Sequence, residues 1–256
     1  MRELKVEIPE RSAEKTVPAV VLAGAVVLAG GSGKRMNSSV PKQYLLLKGR
    51  PLITYALEAF EKSQVEQIVL VTGEDEVEYC REQIIKPYGF QKVTAVVPGG
   101  KERCHSVHQG LKALEGCSHV LIHDGARPLV NGEIIDRALE GAVRFGACVV
   151  GMPVKDTIKV ADREEFAAST PDRKTLWQIQ TPQAFEYGLV RRCYDQVMRD
   201  FKLWQQVTDD AMVVETASDV RVKLVRGSYS NIKVTTPEDL FVAEALLNME
   251  KCGERA

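Results

Sequence analysis

The chain has 256 residues, enough to bury a sizeable core, and its 45% apolar and 27% charged residues exclude intrinsic disorder as the dominant state. Thirty-four Lys and Arg against 35 Asp and Glu leave a net charge of −1, which argues against nucleic acid as a partner and favours a small anion held by a local cluster. Six cysteines (Cys80, Cys104, Cys117, Cys148, Cys193 and Cys252) with no CxxC pair indicate scattered reduced thiols in a cytoplasmic protein, not a disulfide framework.

The first feature along the chain is a duplication. Ala19-Val-Val-Leu-Ala-Gly24 is followed at once by Ala25-Val-Val-Leu-Ala-Gly30, and both copies read as a buried strand of small and β-branched residues. Only the second copy runs into Gly31-Ser-Gly33-Lys34-Arg35. It is therefore expected to fill a central strand, with residues 1–24 a leader outside the core and residues 25–250 a single domain. In the alternative, the two copies compete for one register. The apolar run Val17–Gly30 spans 14 residues, too short to cross a bilayer. Glu3, Glu7, Glu10 and Glu14 suit neither a secretory signal nor a transit peptide.

Beyond the leader, apolar periodicity predicts a strand over Ala25–Ala29, a helix over Pro51–Lys62, a strand over Gln67–Thr72, a helix over Asp75–Ile85 and a strand over Val93–Val97. The alternation continues with a predicted helix Arg103–Leu114, strand His119–His123, helix Glu133–Phe145 and strand Ala147–Met152. This rhythm predicts an α/β fold with a mostly parallel sheet and helices on both faces. From Pro153 to Thr181 the rhythm breaks into extended segments, read as an arm of the kind that serves a partner subunit. Predicted helices Glu186–Asp200 and Asp209–Thr216, a strand Val220–Val225 and an extended segment Asn231–Thr235 follow. A final helix opens at Thr236-Pro-Glu-Asp239, with Thr as cap and Pro in the first turn.

Three clusters could carry chemistry. Gly30-Gly-Ser-Gly-Lys-Arg35 follows the first strand, where glycines let backbone N–H groups approach phosphate oxygens and two cations neutralise them. It is neither a dinucleotide fingerprint, since Met36 stands where a third glycine is wanted, nor a Walker A loop, since Lys34 precedes Arg35 instead of Ser or Thr. A surface turn with solvated charges remains the alternative. Pro41-Lys42-Gln43 places a lysine near that loop, either charging a transferring phosphoryl group or simply solvated. His123-Asp124-Gly-Ala-Arg127-Pro128 ends a strand with a carboxylate suited to Mg²⁺ beside phosphates, unless Asp124 and Arg127 merely pair with each other. His123 reads as a packed strand-end residue. Cys104, His105, His108, Cys117, His119 and His123 crowd together, but their spacing matches no structural zinc pattern.

Taken in order, these segments resemble the 2-C-methyl-D-erythritol 4-phosphate cytidylyltransferase family. The matching pieces are Leu28-Ala-Gly-Gly-Ser-Gly-Lys-Arg-Met36, Pro41-Lys-Gln-Tyr44, Gly99-Gly-Lys-Glu-Arg-Cys-His-Ser106 and His123-Asp-Gly-Ala-Arg-Pro128. They continue with Pro153-Val-Lys-Asp-Thr157, Asp172-Arg-Lys-Thr-Leu-Trp177, Thr181-Pro-Gln183, Thr208-Asp209 and Asn231-Ile-Lys-Val-Thr235, covering about residues 25–248.

The resemblance implies a Rossmann-like nucleotidyltransferase sheet with an arm that interlocks two subunits of a homodimer. It implies that Ala29, Gly30, Gly31, Gly33, Lys34 and Arg35 surround the triphosphate of CTP, and that Arg35 and Lys42 stabilise charge at its α-phosphate. Gly100, Lys101 and Ser106 would face the cytosine, Lys101 departing from members with an acidic residue there. Asp124 would stand at the Mg²⁺ and substrate site. Arg127, Thr157, Arg173, Thr181 and Lys233 would grip the sugar-alcohol phosphate, Thr157 and Arg173 coming from the partner's arm, with Arg173 and Lys233 aiming the attacking phosphate. The implied reaction moves CMP from CTP to 2-C-methyl-D-erythritol 4-phosphate without a covalent enzyme intermediate. Two other readings stand beside it: a ribitol-5-phosphate cytidylyltransferase, against which the Asp172-Arg-Lys-Thr-Leu-Trp177 run speaks, and a non-catalytic nucleotide-binding regulator.

Overall fold

A computed structural model describes residues 21–31 and 41–253. The leader before residue 21 and the loop positions Gly33, Lys34 and Arg35 lie outside the described residues.

Eleven strands and nine α-helices alternate along these residues. The strands are β1 (Ala23–Leu28), β2 (Leu46–Leu47), β3 (Arg50–Pro51), β4 (Gln67–Thr72), β5 (Val93–Pro98), β6 (His119–Asp124), β7 (Ala147–Pro153), β8 (Val160–Ala161), β9 (Ala167–Ser169), β10 (Trp177–Glu186) and β11 (Lys223–Arg226). The helices are α1 (Leu52–Glu61), α2 (Val77–Tyr79), α3 (Lys86–Tyr88), α4 (Arg103–Ala113), α5 (Gly132–Phe145), α6 (Tyr187–Val197), α7 (Phe201–Gln206), α8 (Asp210–Ala217) and α9 (Pro237–Gly253). None is long and apolar enough to cross a membrane.

Seven strands form one sheet in the order β11-β7-β10-β6-β1-β4-β5. The pairs β6–β1, β1–β4, β4–β5 and β7–β11 are parallel, and β10 runs antiparallel to both of its neighbours. Strands buried on both faces need apolar residues at odd and even positions alike, as β1, β4 and β6 show. Alternate residues of β1 then serve different cores. Ala25 and Val27 pack with Ile68, Leu70 and Leu121 against α1 and α5. Val26 packs with Val69, Val71, Val120 and Ile122 against α4, α6 and α8. A smaller apolar cluster of Leu47, Leu52, Leu129, Val234 and Ala243 seats α9.

The central strand takes Ala25–Leu28 of the second copy of the repeat but begins at Ala23, two residues before the expected start at Ala25, and so also takes the last two residues of the first copy. Ala23 and Gly24 belong to the ladder, opposite His119 and Val120 of β6. Gly24 suits that place because a Cβ there would fall 2.6 Å from Cys117 Sγ. The helix expected over Asp75–Ile85 instead runs on through a π-helical turn, Cys80–Ile85, into α3. Pro87 follows that π-helical turn directly, as the second residue of α3.

The largest departure is β10. Sequence reasoning places Trp177–Thr181 in the arm, yet Trp177, Gln178 and Ile179 already pair with Pro153, Met152 and Gly151 of β7. Pro182 and the polar Gln178, Gln180, Thr181 and Gln183 argue against a central strand. The ladder accommodates Pro182 by shifting register between Ile179 and Gln183. The arm is therefore shorter than expected: it leaves the sheet after Pro153, forms the exposed two-stranded ribbon of β8 and β9, and returns at Trp177. The expected strand Val220–Val225 is the shorter β11, and Asn231–Thr235 makes no ladder, Val234 N–H instead donating to Ala126 C=O.

Candidate active site

The chain goes from β1 outward through β4 to β5 and then returns to β6 on the other side of β1. Ligands of open α/β sheets bind outside the carboxyl ends of strands where the order reverses in this way. Here that place is bounded by Ala29–Gly31 after β1, Thr72 at the end of β4, Gly99–Lys101 after β5 and Asp124 at the end of β6.

Asp124 is the electrostatic centre. Its side chain is 12% exposed; Oδ1 accepts from Arg103 Nε at 3.3 Å and Oδ2 from Lys233 Nζ at 2.7 Å. Burial acts to raise the Asp124 carboxyl, but the charges of Arg103 and Lys233 outweigh it and hold the group well below the usual carboxylate range. Thr181 braces this strand end from beneath. Its Oγ1 accepts the Asp124 backbone N–H at 3.1 Å and lies 3.0 Å from His123 Nδ1. His123 is fully buried beside Phe60, and burial pushes its imidazole down to about 4. It is the packed strand-end residue expected.

Asp124 and Arg127 do not form the simple pair weighed as an alternative. The Arg127 guanidinium turns away, donating Nη1 to Asn231 C=O at 2.8 Å and Nη2 to Ile179 C=O at 3.4 Å. It thereby ties the Lys233 segment to β10. Arg103 takes the place beside Asp124, anchored by Asp210 of α8, whose carboxylate is 0% exposed. Nη1 and Nη2 of Arg103 donate to Asp210 Oδ1 and Oδ2 at 2.8 and 2.7 Å, and Tyr194 O–H donates to the same carboxylate. Both residues were missed as site components. Arg103 lies inside the Gly99–Ser106 segment and Asp210 directly follows Thr208-Asp209, but 107 positions separate them, so no local pattern pairs them.

The remaining expected residues fall as follows. Ala29 is buried, its N–H donating to Val71 C=O, and Gly30 lies against the backbone of Thr72. Lys42 comes in on the short helical turn Lys42–Tyr44 and lies beside Gly31, where a Cβ would be 3.5 Å from Lys42 Cε. Gly100 N–H donates to Ser106 Oγ at 3.1 Å, closing the loop over the start of α4, while Lys101 is exposed. Thr157 and Arg173 lie on the exposed arm, with Arg173 Nη1 donating to Lys155 C=O at 3.2 Å.

The donor set suits a cation that arrives with phosphates. Arg103 and Lys233 use two of the roughly four acceptor positions of the Asp124 carboxylate, leaving lone pairs for Mg²⁺, which takes one or two protein carboxylates beside phosphate and water. Among the described residues, no three His, Cys, Asp or Glu side chains are grouped to hold a metal by themselves.

Comparison with known proteins agrees with this fold. The sequence pattern of the family described as 2-C-methyl-D-erythritol 4-phosphate cytidylyltransferase matches residues 23–249. A protein of that name from Lachnoclostridium phytofermentans is 50% identical over 223 residues, covering 87% of this chain and 95% of the relative. Its counterpart from Lachnospira eligens is 51% identical over 224 residues, covering 87% and 98%. Among solved structures, the 4-diphosphocytidyl-2C-methyl-D-erythritol synthase of Anaerococcus prevotii is similar with a TM-score of 0.77 at 32% identity, covering 89% of this chain and 96% of that one. The cytidylyltransferase of Thermus thermophilus gives 0.70 at 30% identity, covering 87% and 98%. On the match across nearly all of the sheet, this chain belongs to the 2-C-methyl-D-erythritol 4-phosphate cytidylyltransferase family.

Proposed function

We propose that the protein transfers the cytidylyl group of CTP to 2-C-methyl-D-erythritol 4-phosphate, giving 4-diphosphocytidyl-2-C-methyl-D-erythritol and pyrophosphate. The observation that carries this reading is the family match over residues 23–249. The gathering of Asp124, Lys233 and the Gly31–Lys42 contact at the sheet's reversal point supports it.

A phosphate oxygen of the sugar-alcohol substrate attacks the α-phosphorus of CTP in line, and the bond to the β-phosphate bridging oxygen breaks. Both electrons leave with pyrophosphate. The attacking phosphate monoester is ionised near neutral pH, so no strong general base is needed, and catalysis rests on positioning and charge. In this reading Lys42, with Arg35, meets charge growing on the α-phosphate. Backbone N–H groups of Gly30, Gly31 and Gly33, with Lys34, hold the triphosphate above the buried Ala29, while Gly100, Lys101 and Ser106 face the cytosine. Lys233 aims the attacking phosphate, and Arg127 and Thr181 shape the pocket that receives it. When bound, Mg²⁺ would neutralise triphosphate charge with Asp124 as its protein ligand.

Thr157 and Arg173 would act on a second copy's substrate through the arm, making the active unit a cytoplasmic homodimer of a single-domain chain. The exposed ribbon with Ile158, Val160 and Phe166 at its surface supports that role. The test is pyrophosphate release from CTP and Mg²⁺, run in parallel with 2-C-methyl-D-erythritol 4-phosphate and ribitol 5-phosphate. Release with the first alone is expected. Release with ribitol 5-phosphate alone would overturn the substrate assignment, and silence with both would overturn the enzymatic reading.

A further inference from the structure

The segment that delivers Lys42 is pinned from behind. Gln43 and Tyr44 turn inward, 2% and 6% exposed, and both reach one carboxylate oxygen of Glu76, just after β4. Tyr44 O–H donates to Glu76 Oε2 at 2.9 Å and Gln43 Nε2 donates to it at 3.4 Å. Two groups at the end of β4 meet that oxygen as well: Thr72 Oγ1 at 2.9 Å and the Gly73 N–H at 3.2 Å. Tyr44 O–H also lies 2.9 Å from Thr72 Oγ1, so the two hydroxyls and the carboxylate form one connected group.

The lower edge of this group touches the phosphate loop. A Cβ on Gly30 would meet the Thr72 backbone at 3.5 Å, and one on Gly31 would meet Lys42 Cε at 3.5 Å. Glu76 Oε2 thus joins the strand end beneath the loop to the segment that carries the lysine beside it. Glu76 lies in a short turn after β4, 34 positions from Lys42, and among the described residues its Oε2 partners are Gln43, Tyr44, Thr72 and Gly73, none of them assigned to substrate.

We propose that Glu76 is a positioning residue for cytidylyl transfer, holding Lys42 at the α-phosphate by way of Tyr44 and Gln43. The proposal rests on the reading of Lys42 given above. A merely structural Glu76 would contribute to stability alone, so the decisive readout is whether its effect on rate depends on Lys42.

The experiment compares wild type, Glu76→Gln, Lys42→Ala and the double variant by single-turnover transfer from CTP to 2-C-methyl-D-erythritol 4-phosphate, with KM for CTP and melting temperature measured alongside. Glu76→Gln is expected to slow transfer about tenfold, well inside the ~100-fold that misplacement of a catalytic group costs, with KM for CTP little changed. In the Lys42→Ala background the same substitution is expected to cost less than about twofold, because residues acting through one another are not additive. An unchanged rate for Glu76→Gln, or an equal cost in both backgrounds, would overturn the proposal while leaving the role of Lys42 intact. Full activity of Lys42→Ala would instead overturn the reading of Lys42, and this inference with it. If Glu76→Gln does not fold, Tyr44→Phe carries the same comparison. It keeps the ring packed on Tyr79 and removes only the hydroxyl. It should cost about threefold with Lys42 present and almost nothing without it, and an equal cost in both backgrounds would refute the proposal.

Discussion

Replacing Asp210 by alanine should expose how much stability rests on the ion pair behind the active site. The Asp210 carboxylate is 0% exposed and accepts two hydrogen bonds from Arg103 and one from Tyr194. Removing one partner of a buried ion pair strands the other, at a cost of about 3–5 kcal/mol. Arg103 is 30% exposed and keeps its contact with Asp124, so water and a second carboxylate relieve part of that cost. The lower end, about 3 kcal/mol, is expected. For a chain of this size each kcal/mol moves the midpoint by about 2–4 °C, so Asp210→Ala should melt about 6–12 °C below wild type in calorimetry. The combined Arg103→Met and Asp210→Leu variant should recover much of the loss, since no uncompensated charge remains to be buried. A melting point for Asp210→Ala within about 2 °C of wild type would refute the argument that this pair holds α8 against α4.

The other predictions concern separate parts of the fold. Lys233→Met should lower kcat about 100-fold, comparable to the loss of one transition-state donor, with little change in KM for CTP; steady-state pyrophosphate release measures it, and a wild-type kcat would sink the role given to Lys233. Gly110→Ala should destabilise by about 1–3 kcal/mol despite the better helix propensity of alanine. A Cβ there would fall 2.4 Å from Val26 Cγ1 and 2.9 Å from Val71 Cγ2, and a urea midpoint at or above wild type would contradict that packing. Asp239→Ala should cost about 1–2 kcal/mol near pH 7, because Asp239 Oδ2 accepts from Thr235 N–H, Thr235 Oγ1 and Thr236 N–H at the start of α9. Burial raises the Asp239 carboxyl, but those donors bring it below its ordinary value. The stabilisation is then full above the unfolded value near ~3.9 and lost as pH falls through the lower folded value. The gap between wild type and variant in urea titrations should therefore close in strongly acidic buffer; a gap that persists there would refute this account of the cap.

Much of this protein could be read from residue order. Apolar runs and amphipathic stretches marked the strands of the large sheet and the longer helices up to β7, though not the short β2 and β3, because two-sided burial and the 3.6-residue period leave local patterns. The Gly30–Arg35 and Asp124 segments could be placed at strand ends for the same reason, with Lys42 a few residues beyond the first. The antiparallel β10 was not legible. Its Pro182 and four polar residues look like a loop, and only the register shift against β7, together with partners such as Asp209 for Gln183 and Asn231 for Gln180, makes a strand of them.

The amino-acid order by itself thus determined the α/β alternation, the glycine-rich turn after the first strand and the lysine and carboxylate available for a phosphate reaction. Only the tertiary structure decided which charges meet. Asp124 could have paired with Arg127, three residues away, but the Arg127 guanidinium is taken up by the carbonyls of Asn231 and Ile179. Arg103 and Lys233, brought from α4 and the segment before α9, occupy the carboxylate instead. The physical reason is that a buried charge is stabilised by whichever opposite charge the packing of distant elements delivers, and sequence proximity does not control that delivery.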